Sequence, residues 1–313
     1  MNKNYIILGA SGYIGSAFCN FLKTSKKPYI ALSRNEVDYT DLKTFENYIH
    51  MNWRNSEKPT ENSVIINCSG FIGKPNVDVC EDNKSECIIG NIVTPQNISN
   101  LCRRLGLKFA HISSGCIYSG YDKQFTEEDL SNFNIQNGSF YSGTKAIAEQ
   151  LILSSNTNSY IFRLRIPFDH IPDQRNYITK ILNYDKLLDK NNSLSHRGEF
   201  VSSCISLIEN KAPYGIFNLT NPGYVSAKDV IEIIKKVSPV MLSGKTVKFF
   251  DSDDDFNKHV RAPRSNCILS TSKSSKYVHM SPVKDILKQS IIDYSKNKYY
   301  CDELFRCCET AVV

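Results

Sequence analysis

The sequence predicts an α/β fold in which a parallel sheet is covered by helices on both faces, and three features predict it. Short apolar runs recur along the first half of the chain, a stretch of helical spacing follows each, and the first run ends in a glycine-rich turn. Tyr5-Ile6-Ile7-Leu8 is the first run, and Ile14, Phe18, Phe21 and Leu22 then share one helical face. Tyr29-Ile30-Ala31-Leu32 reads as the second strand, Val64-Ile65-Ile66-Asn67 as the third and Phe109-Ala110-His111-Ile112-Ser113 as the fourth. A helix built around Ala146 to Leu153 precedes the fifth, Tyr160-Ile161-Phe162-Arg163-Leu164. After Pro167 the rhythm loosens into a polar loop, a helix near Ile178 to Leu188 and an isolated strand at Ile216 to Leu219 that can return to the first sheet. Helices at Ala227 to Val237 and near Val283 to Asn297 complete the pattern, and the acidic run Asp251 to Asp255 reads as a solvated loop. Strand and helix alternating in this way give a doubly wound parallel sheet.

Composition narrows the function classes. With 313 residues, 41% of them hydrophobic and 22% charged, the chain has enough apolar surface for one large or two intimately joined domains. No stretch nears the roughly 18 consecutive apolar residues of a membrane span. Met1 to Asn4 followed by four apolar residues is not a signal peptide, so a soluble, cytoplasmic protein is expected. Eleven cysteines, odd in number and scattered through apolar runs, fit reduced thiols, and the Cys307-Cys308 pair has no partner pair at metal-ligand spacing. No metal site is expected. A net charge of +6, with no basic cluster interleaved with aromatics, argues against a nucleic-acid surface and suits a small anionic ligand.

Gly9-Ala10-Ser11-Gly12-Tyr13-Ile14-Gly15 joins the first strand to the first helix. Glycines belong there when the turn is tight, a pyrophosphate approaches bare backbone, and the helix packs closely with its N-terminus on the phosphates. The fold expected is therefore of Rossmann type, with residues 1–165 binding a dinucleotide and residues 166–313 forming a smaller substrate-binding part. At the end of the second strand stand Ser33 and Arg34 rather than an acidic residue. A hydroxyl beside a guanidinium suits the 2′-phosphate of NADP, so NADPH is the expected cofactor. Asp38 and Asn67 are further candidate cofactor contacts.

Tyr141 and Lys145 stand four apart on a predicted helix and so share a face, where an ammonium can lower the phenol's pKa and hold a ribose while the phenol exchanges a proton with a carbonyl oxygen. Ser113-Ser114 end the preceding strand, and Ser114 can share that carbonyl. With the glycine loop, these residues resemble the extended short-chain dehydrogenase/reductases that act on nucleotide sugars, and the resemblance, which includes Asn91, covers nearly the whole chain.

Within that superfamily, dehydratases carry Asp and Glu directly after the catalytic hydroxyl residue, where this chain has Gly115 and Cys116. The resemblance is instead to epimerase/reductases such as the GDP-fucose synthases, whose cysteine moves protons beside a keto group. A thiol suits that work because its ionisation is readily tuned toward neutrality beside a cation. Inversion also needs a group on the opposite face. Arg175-Asn176-Tyr177-Ile178-Thr179-Lys180 resembles a stretch of the epimerase/reductase part of plant UDP-rhamnose synthases, which makes Lys180 the candidate where fucose synthases use histidine. Gly73 to Asp78, Gly138 to Ser142, Asn218 to Gly223 and Ala262 to Asn266 resemble the same part.

That resemblance implies 3,5-epimerisation and NADPH-dependent 4-reduction of UDP-4-keto-6-deoxy-D-glucose to UDP-L-rhamnose. Ser114, Cys116, Tyr141, Lys145 and Lys180 would be catalytic, and Asn76, Arg175, Asn176 and Arg264 would hold the substrate. It also implies a separate 4,6-dehydratase to supply the substrate and a homodimer. The alternatives are another nucleotide sugar, including a GDP sugar, reduction alone, or a silent NADP-binding regulatory subunit; the intact Ser114, Tyr141 and Lys145 argue against silence.

Overall fold

The computed structural model describes residues 5–53, 63–73 and 76–309, with backbone alone for 53 and 298–309. Lys74, Pro75 and the residues before Tyr5 lie outside this set, as does the Cys307-Cys308 side-chain pair.

Apolar runs without alternation form strands when both faces are covered. Six do so: β1 (Tyr5–Leu8), β2 (Tyr29–Leu32), β3 (Val64–Asn67), β4 (Lys108–Ser114), β5 (Ser159–Leu164) and β6 (Gly215–Asn218). They pair in the order β6-β5-β4-β3-β1-β2, every pair parallel. The chain winds outward from β1 to β2 and then crosses to β3, so the switch point lies between β1 and β3, above the glycine turn.

Alternate residues feed the two faces. Tyr5, Ile7, Val64, Ile66, Ala110 and Phe162 pack under α1 (Tyr13–Thr24) and α6 (Arg197–Glu209), where Phe18 meets Phe200 edge to face at 6.4 Å. Ile6, Leu8, Ile65, Phe109 and Ile161 face α2 (Leu42–Trp53), α3 (Thr94–Leu105) and α4 (Phe140–Ser155). A third core, drawn from Phe168 to Tyr294, joins α5 (Tyr177–Asn183), α7 (Ala227–Val237) and α8 (Val283–Glu309).

The strand near residue 216 returns to the sheet as the sequence allows, and α6, unread in the sequence, packs there with it. Other expectations need correction. The helix expected to run to Leu188 stops at Asn183, because Lys186–Leu187 pairs with Lys248–Phe249 in a two-stranded sheet. The acidic run is partly helical: Ser252 caps Asp253–Asn257, and Asp253 and Asp255 meet Lys190 at 2.7 Å and Lys186 at 3.5 Å. Gly120–Phe125 pairs with Cys267–Leu269 and brings the segment after Arg264 onto the end of β4.

Candidate active site

The turn after β1 has the form that a phosphate cradle requires. Gly9 adopts φ +72°, and a Cβ on Gly15 would lie 2.1 Å from the Gly9 carbonyl oxygen, a backbone atom that cannot give way. Gly12 caps α1 without a side-chain hydrogen bond, which leaves the first helical amides open to an anion. These residues fit a bound dinucleotide. Ser11 is exposed and Ile14 half-buried at this turn. Tyr13 points elsewhere: its hydroxyl donates to Asp169 at 3.3 Å, and the Arg197 and Arg175 guanidiniums lie 4.3 and 5.4 Å from its ring centre. Arg197 and Asp169 pair at 2.5 Å.

At the end of β2, Arg34 is exposed, and the Ser33 amide and hydroxyl both donate to Glu36, at 2.6 and 2.8 Å. Those bonds hold the Glu36 carboxyl below its ordinary range. Asp38 is turned to the Thr40 amide and hydroxyl.

The centre lies where β3, β4 and α4 meet. Register sets Asn67 beside His111 on the α4 face of the sheet. Asn67 is fully buried; its oxygen accepts from the Ser69 amide and hydroxyl at 3.0 and 2.6 Å, and its nitrogen lies 3.2 Å from His111 Nδ1. Lys145 Nζ lies 3.0 Å from His111 Nε2 and donates to the Ile112 carbonyl at 2.9 Å. Burial lowers the Lys145 pKa to about 8, against the pull of the surrounding Cys116, Glu149, Cys87 and Cys68.

Tyr141 does not have the lowered pKa that the sequence predicts. Burial raises it well above the ordinary phenol value, the Cys116, Cys80 and Cys87 thiols add to this, and Lys145 is committed to His111 and Ile112 instead. The phenol therefore keeps its proton at neutral pH. Its hydroxyl makes no hydrogen bond to the described residues.

Ser114 Oγ accepts from the Cys116 amide at 3.2 Å and caps the 3-10 turn that carries the thiol, so hydroxyl and thiol are held as one unit. A Cβ on the intervening Gly115 would lie 2.6 Å from the buried Leu269 side chain, which would have to shift to admit any larger residue there.

Beneath this centre is a buried ion pair that the sequence did not reveal. Arg163 donates to both oxygens of Glu149, at 3.1, 3.1 and 2.6 Å, and to the Tyr118 hydroxyl at 3.0 Å, while Ser113 donates to the same carboxylate. Asn91, buried in the π-turn before α3, bonds both the amide and the carbonyl of Phe71 and reaches Thr144 on α4.

The remaining candidates stand on other elements. Asn176 is fully buried; it caps α5 and donates to Asp169 and Ile171, so it anchors the segment carrying Lys180. Burial lowers the Lys180 pKa, partly offset by Asp173. No hydrogen bond or ion pair joins Lys180 to Ser114, Cys116, Tyr141 or Lys145 among the described residues. Arg175 pairs with Asp173 at 3.0 Å. Asn76 caps the turn at Val77–Glu81, and Arg264 grips Asp78 through two bonds of 2.7 and 2.8 Å. Burial opposes ionisation of Asp78, but Arg264 outweighs it and holds the carboxyl below its ordinary range. A separate cavity of about 770 Å³ is lined by Ile181, Lys186, Lys245, Lys248, Phe250 and His259.

His111, Glu149, Arg163 and Glu36 were all missed in the sequence. His111, between Ala110 and Ile112, and Arg163, between Phe162 and Leu164, each left a signal as a polar residue in an otherwise apolar strand. Among the described residues, no helix is long and apolar enough to cross a membrane, and no group of three or more His, Cys, Asp or Glu residues could hold a metal.

Known proteins share this architecture and much of the sequence. The RmlD substrate-binding domain family matches residues 3–295. A trifunctional Arabidopsis thaliana UDP-glucose 4,6-dehydratase/UDP-4-keto-6-deoxy-D-glucose 3,5-epimerase/UDP-4-keto-L-rhamnose-reductase is 32% identical over 300 residues, which make up 93% of this chain and 41% of that protein. The chain thus spans less than half of that relative. An Arabidopsis bifunctional dTDP-4-dehydrorhamnose 3,5-epimerase/reductase is 30% identical over 94% of both chains. Among solved structures, the UDP-rhamnose synthase of Acanthamoeba polyphaga mimivirus superposes with a TM-score of 0.82 at 23% identity, over 94% of this chain and 100% of its own. With the family match spanning residues 3–295 and the parallel-sheet fold in agreement, the chain belongs to the RmlD substrate-binding domain family of extended short-chain dehydrogenase/reductases.

Proposed function

We propose that the chain is a bifunctional 3,5-epimerase/4-reductase that converts UDP-4-keto-6-deoxy-D-glucose to UDP-L-rhamnose with NADPH. The observation that carries this reading is the grouping of Ser114, Cys116 and Tyr141 at the end of β4, with a glycine turn before α1 whose Gly15 has no room for a side chain. Bound NADPH supplies the hydride for carbon 4. Gly9, Ser11, Gly12, Ile14 and Gly15 receive the diphosphate at the start of α1, and Ser33 and Arg34 receive the 2′-phosphate once Glu36 gives way. Tyr13, Asp38 and Asn67 act from behind, through the bonds that hold the cleft, and Lys145 holds the ribose.

The keto group acidifies the hydrogens at carbons 3 and 5. Ser114 and Tyr141 donate to the C4 oxygen and stabilise the enolate formed when a base removes either proton. Cys116 and Lys180 act from opposite faces, one removing the proton and the other returning one to the far side, which inverts the carbon. In the reduction, Tyr141 gives its proton to the C4 oxygen. Arg175, Arg264, Asn176 and Asn76 order the sugar and diphosphate. A separate 4,6-dehydratase supplies the ketone, and a homodimer is the expected assembly. A dTDP sugar is the second reading of the nucleotide, favoured by the likeness to the Arabidopsis dTDP-4-dehydrorhamnose epimerase/reductase.

The test is NADPH oxidation by the purified chain with UDP- and dTDP-4-keto-6-deoxyglucose in turn. Wild-type protein should turn over, and Tyr141→Phe should lose about two to four orders of magnitude in kcat while still binding NADPH. Binding of NADPH with no oxidation by either ketone would refute the proposal.

A further inference from the structure

The contacts of Asn67 and His111 fix where one proton sits. The Ser69 amide can only donate, so the Asn67 atom 3.0 Å from it is the oxygen, and the atom facing His111 is the NH₂ group. Turning the amide over would set donor against donor at Ser69. The Asn67 nitrogen therefore donates to His111 Nδ1 at 3.2 Å, so Nδ1 carries a lone pair and the neutral ring carries its hydrogen on Nε2. That Nε2–H points at Lys145 Nζ, 3.0 Å away. An ammonium there would again set donor against donor, whereas an amine presents a lone pair and can still donate to the Ile112 carbonyl at 2.9 Å.

We propose that in the free protein at mildly alkaline pH Asn67 locks the His111 tautomer so that Nε2–H is donated to an uncharged Lys145 amine, which makes His111 the positioning residue that sets the protonation of Lys145. The side chains facing Lys145 from the neighbouring elements are compatible with this. Glu149 on α4 is committed to Arg163, and the others are the thiols of Cys68 after β3, Cys87 in the helix Lys84–Ile88, and Cys116 after β4. Burial pushes both His111 and Lys145 toward their neutral forms. The Lys145 amine is a proton acceptor beside Tyr141, and it becomes a cation by taking up a proton as the pH falls. The inference extends the role given to Lys145 above and rests on that reading for its catalytic meaning.

The test uses the free, full-length chain. Nitrogen-15 NMR of labelled histidine, with His111 assigned by its loss in His111→Met, should show the Nε2–H tautomer at pH 9, and the Nδ1–H tautomer would overturn the proposal. With ¹³Cε-labelled lysine, Lys145, assigned by its loss in Lys145→Arg, should titrate below the other lysines. In His111→Met the amine loses its donor, so the Lys145 midpoint should rise, by about one pH unit if a single buried hydrogen bond is lost. An unchanged or lowered midpoint would overturn the proposal, because burial alone, or a histidine accepting from an ammonium, predicts that result. If His111→Met fails to fold, the wild-type tautomer decides, with His111 assigned by its loss in His111→Gln. Neither readout involves a sugar, so the inference and the epimerase/reductase reading can fail independently.

Discussion

Replacing Arg163 by methionine should show how much the ion pair beneath the active centre contributes. The Arg163 and Glu149 side chains are 3% and 4% exposed, and the guanidinium makes three bonds of 2.6 to 3.1 Å to one carboxylate. Methionine keeps much of the apolar stem but leaves Glu149 buried with Ser113 as its remaining partner. Breaking such a pair from one side costs about 3–5 kcal/mol, a large part of a total stability of about 5–15 kcal/mol. Urea unfolding followed by circular dichroism should show a lower midpoint with an unchanged slope. The double variant Arg163→Met/Glu149→Met should recover most of the loss, because the carboxylate stranded in the single variant is gone. A single variant within about 1 kcal/mol of wild type, or a double variant no better than the single, would refute the assignment of the cost to an uncompensated charge.

Two other perturbations follow from the same geometry. Lys145→Met should abolish turnover yet stabilise the fold by roughly 3 kcal/mol at pH 7, since the folded-state pKa of about 8 lies below the unfolded value of 10.5. Between those values the unfolded chain holds the extra proton, so wild-type stability should rise with pH over that window while the variant stays flat; thermal melts at pH 7 and 10 check this. Glu36→Gln should tighten NADPH several-fold more than NADH, because it removes a carboxylate from the Ser33 amide and hydroxyl, and Arg34→Ala should narrow the preference from the other side. Calorimetric titrations with both cofactors give the ratio, and equal affinities in wild type would contradict the reading of β2.

Much of this was legible in the sequence because it is local. The strands β1, β2 and β3 and the helix α7 run between the expected residues, since their apolar runs are short and sharply bounded. The glycine turn and the Tyr141–Lys145 spacing are each contained within a few residues. The helix α6 escaped notice because it is buried on several sides and includes Gly198, three serines and a cysteine, so neither amphipathic contrast nor propensity marks it. Gly120–Phe125 is polar enough to read as loop, and its pairing with Cys267–Leu269 joins segments more than a hundred residues apart. The same limit hid the partners of the centre. Asn67 and His111 are register neighbours 44 residues apart, and Glu149 meets Arg163 only because α4 lies over β4 and β5. The electrostatics of Tyr141 were misjudged for the same reason, as Lys145 turns to a strand residue that no helical spacing reveals.

Solvent deuterium in the product tests the central claim most directly, because the Tyr-Lys pair alone accounts for reduction while the thiol is assigned to epimerisation. Wild-type protein with UDP-4-keto-6-deoxyglucose and NADPH in deuterated water should yield UDP-L-rhamnose labelled at carbons 3 and 5. Cys116→Ser, close in size but far less acidic, should lose about two to four orders of magnitude in label incorporation while retaining hydride transfer. A wild-type product without label at either carbon, or a Cys116→Ser variant that exchanges at the wild-type rate, would contradict the account.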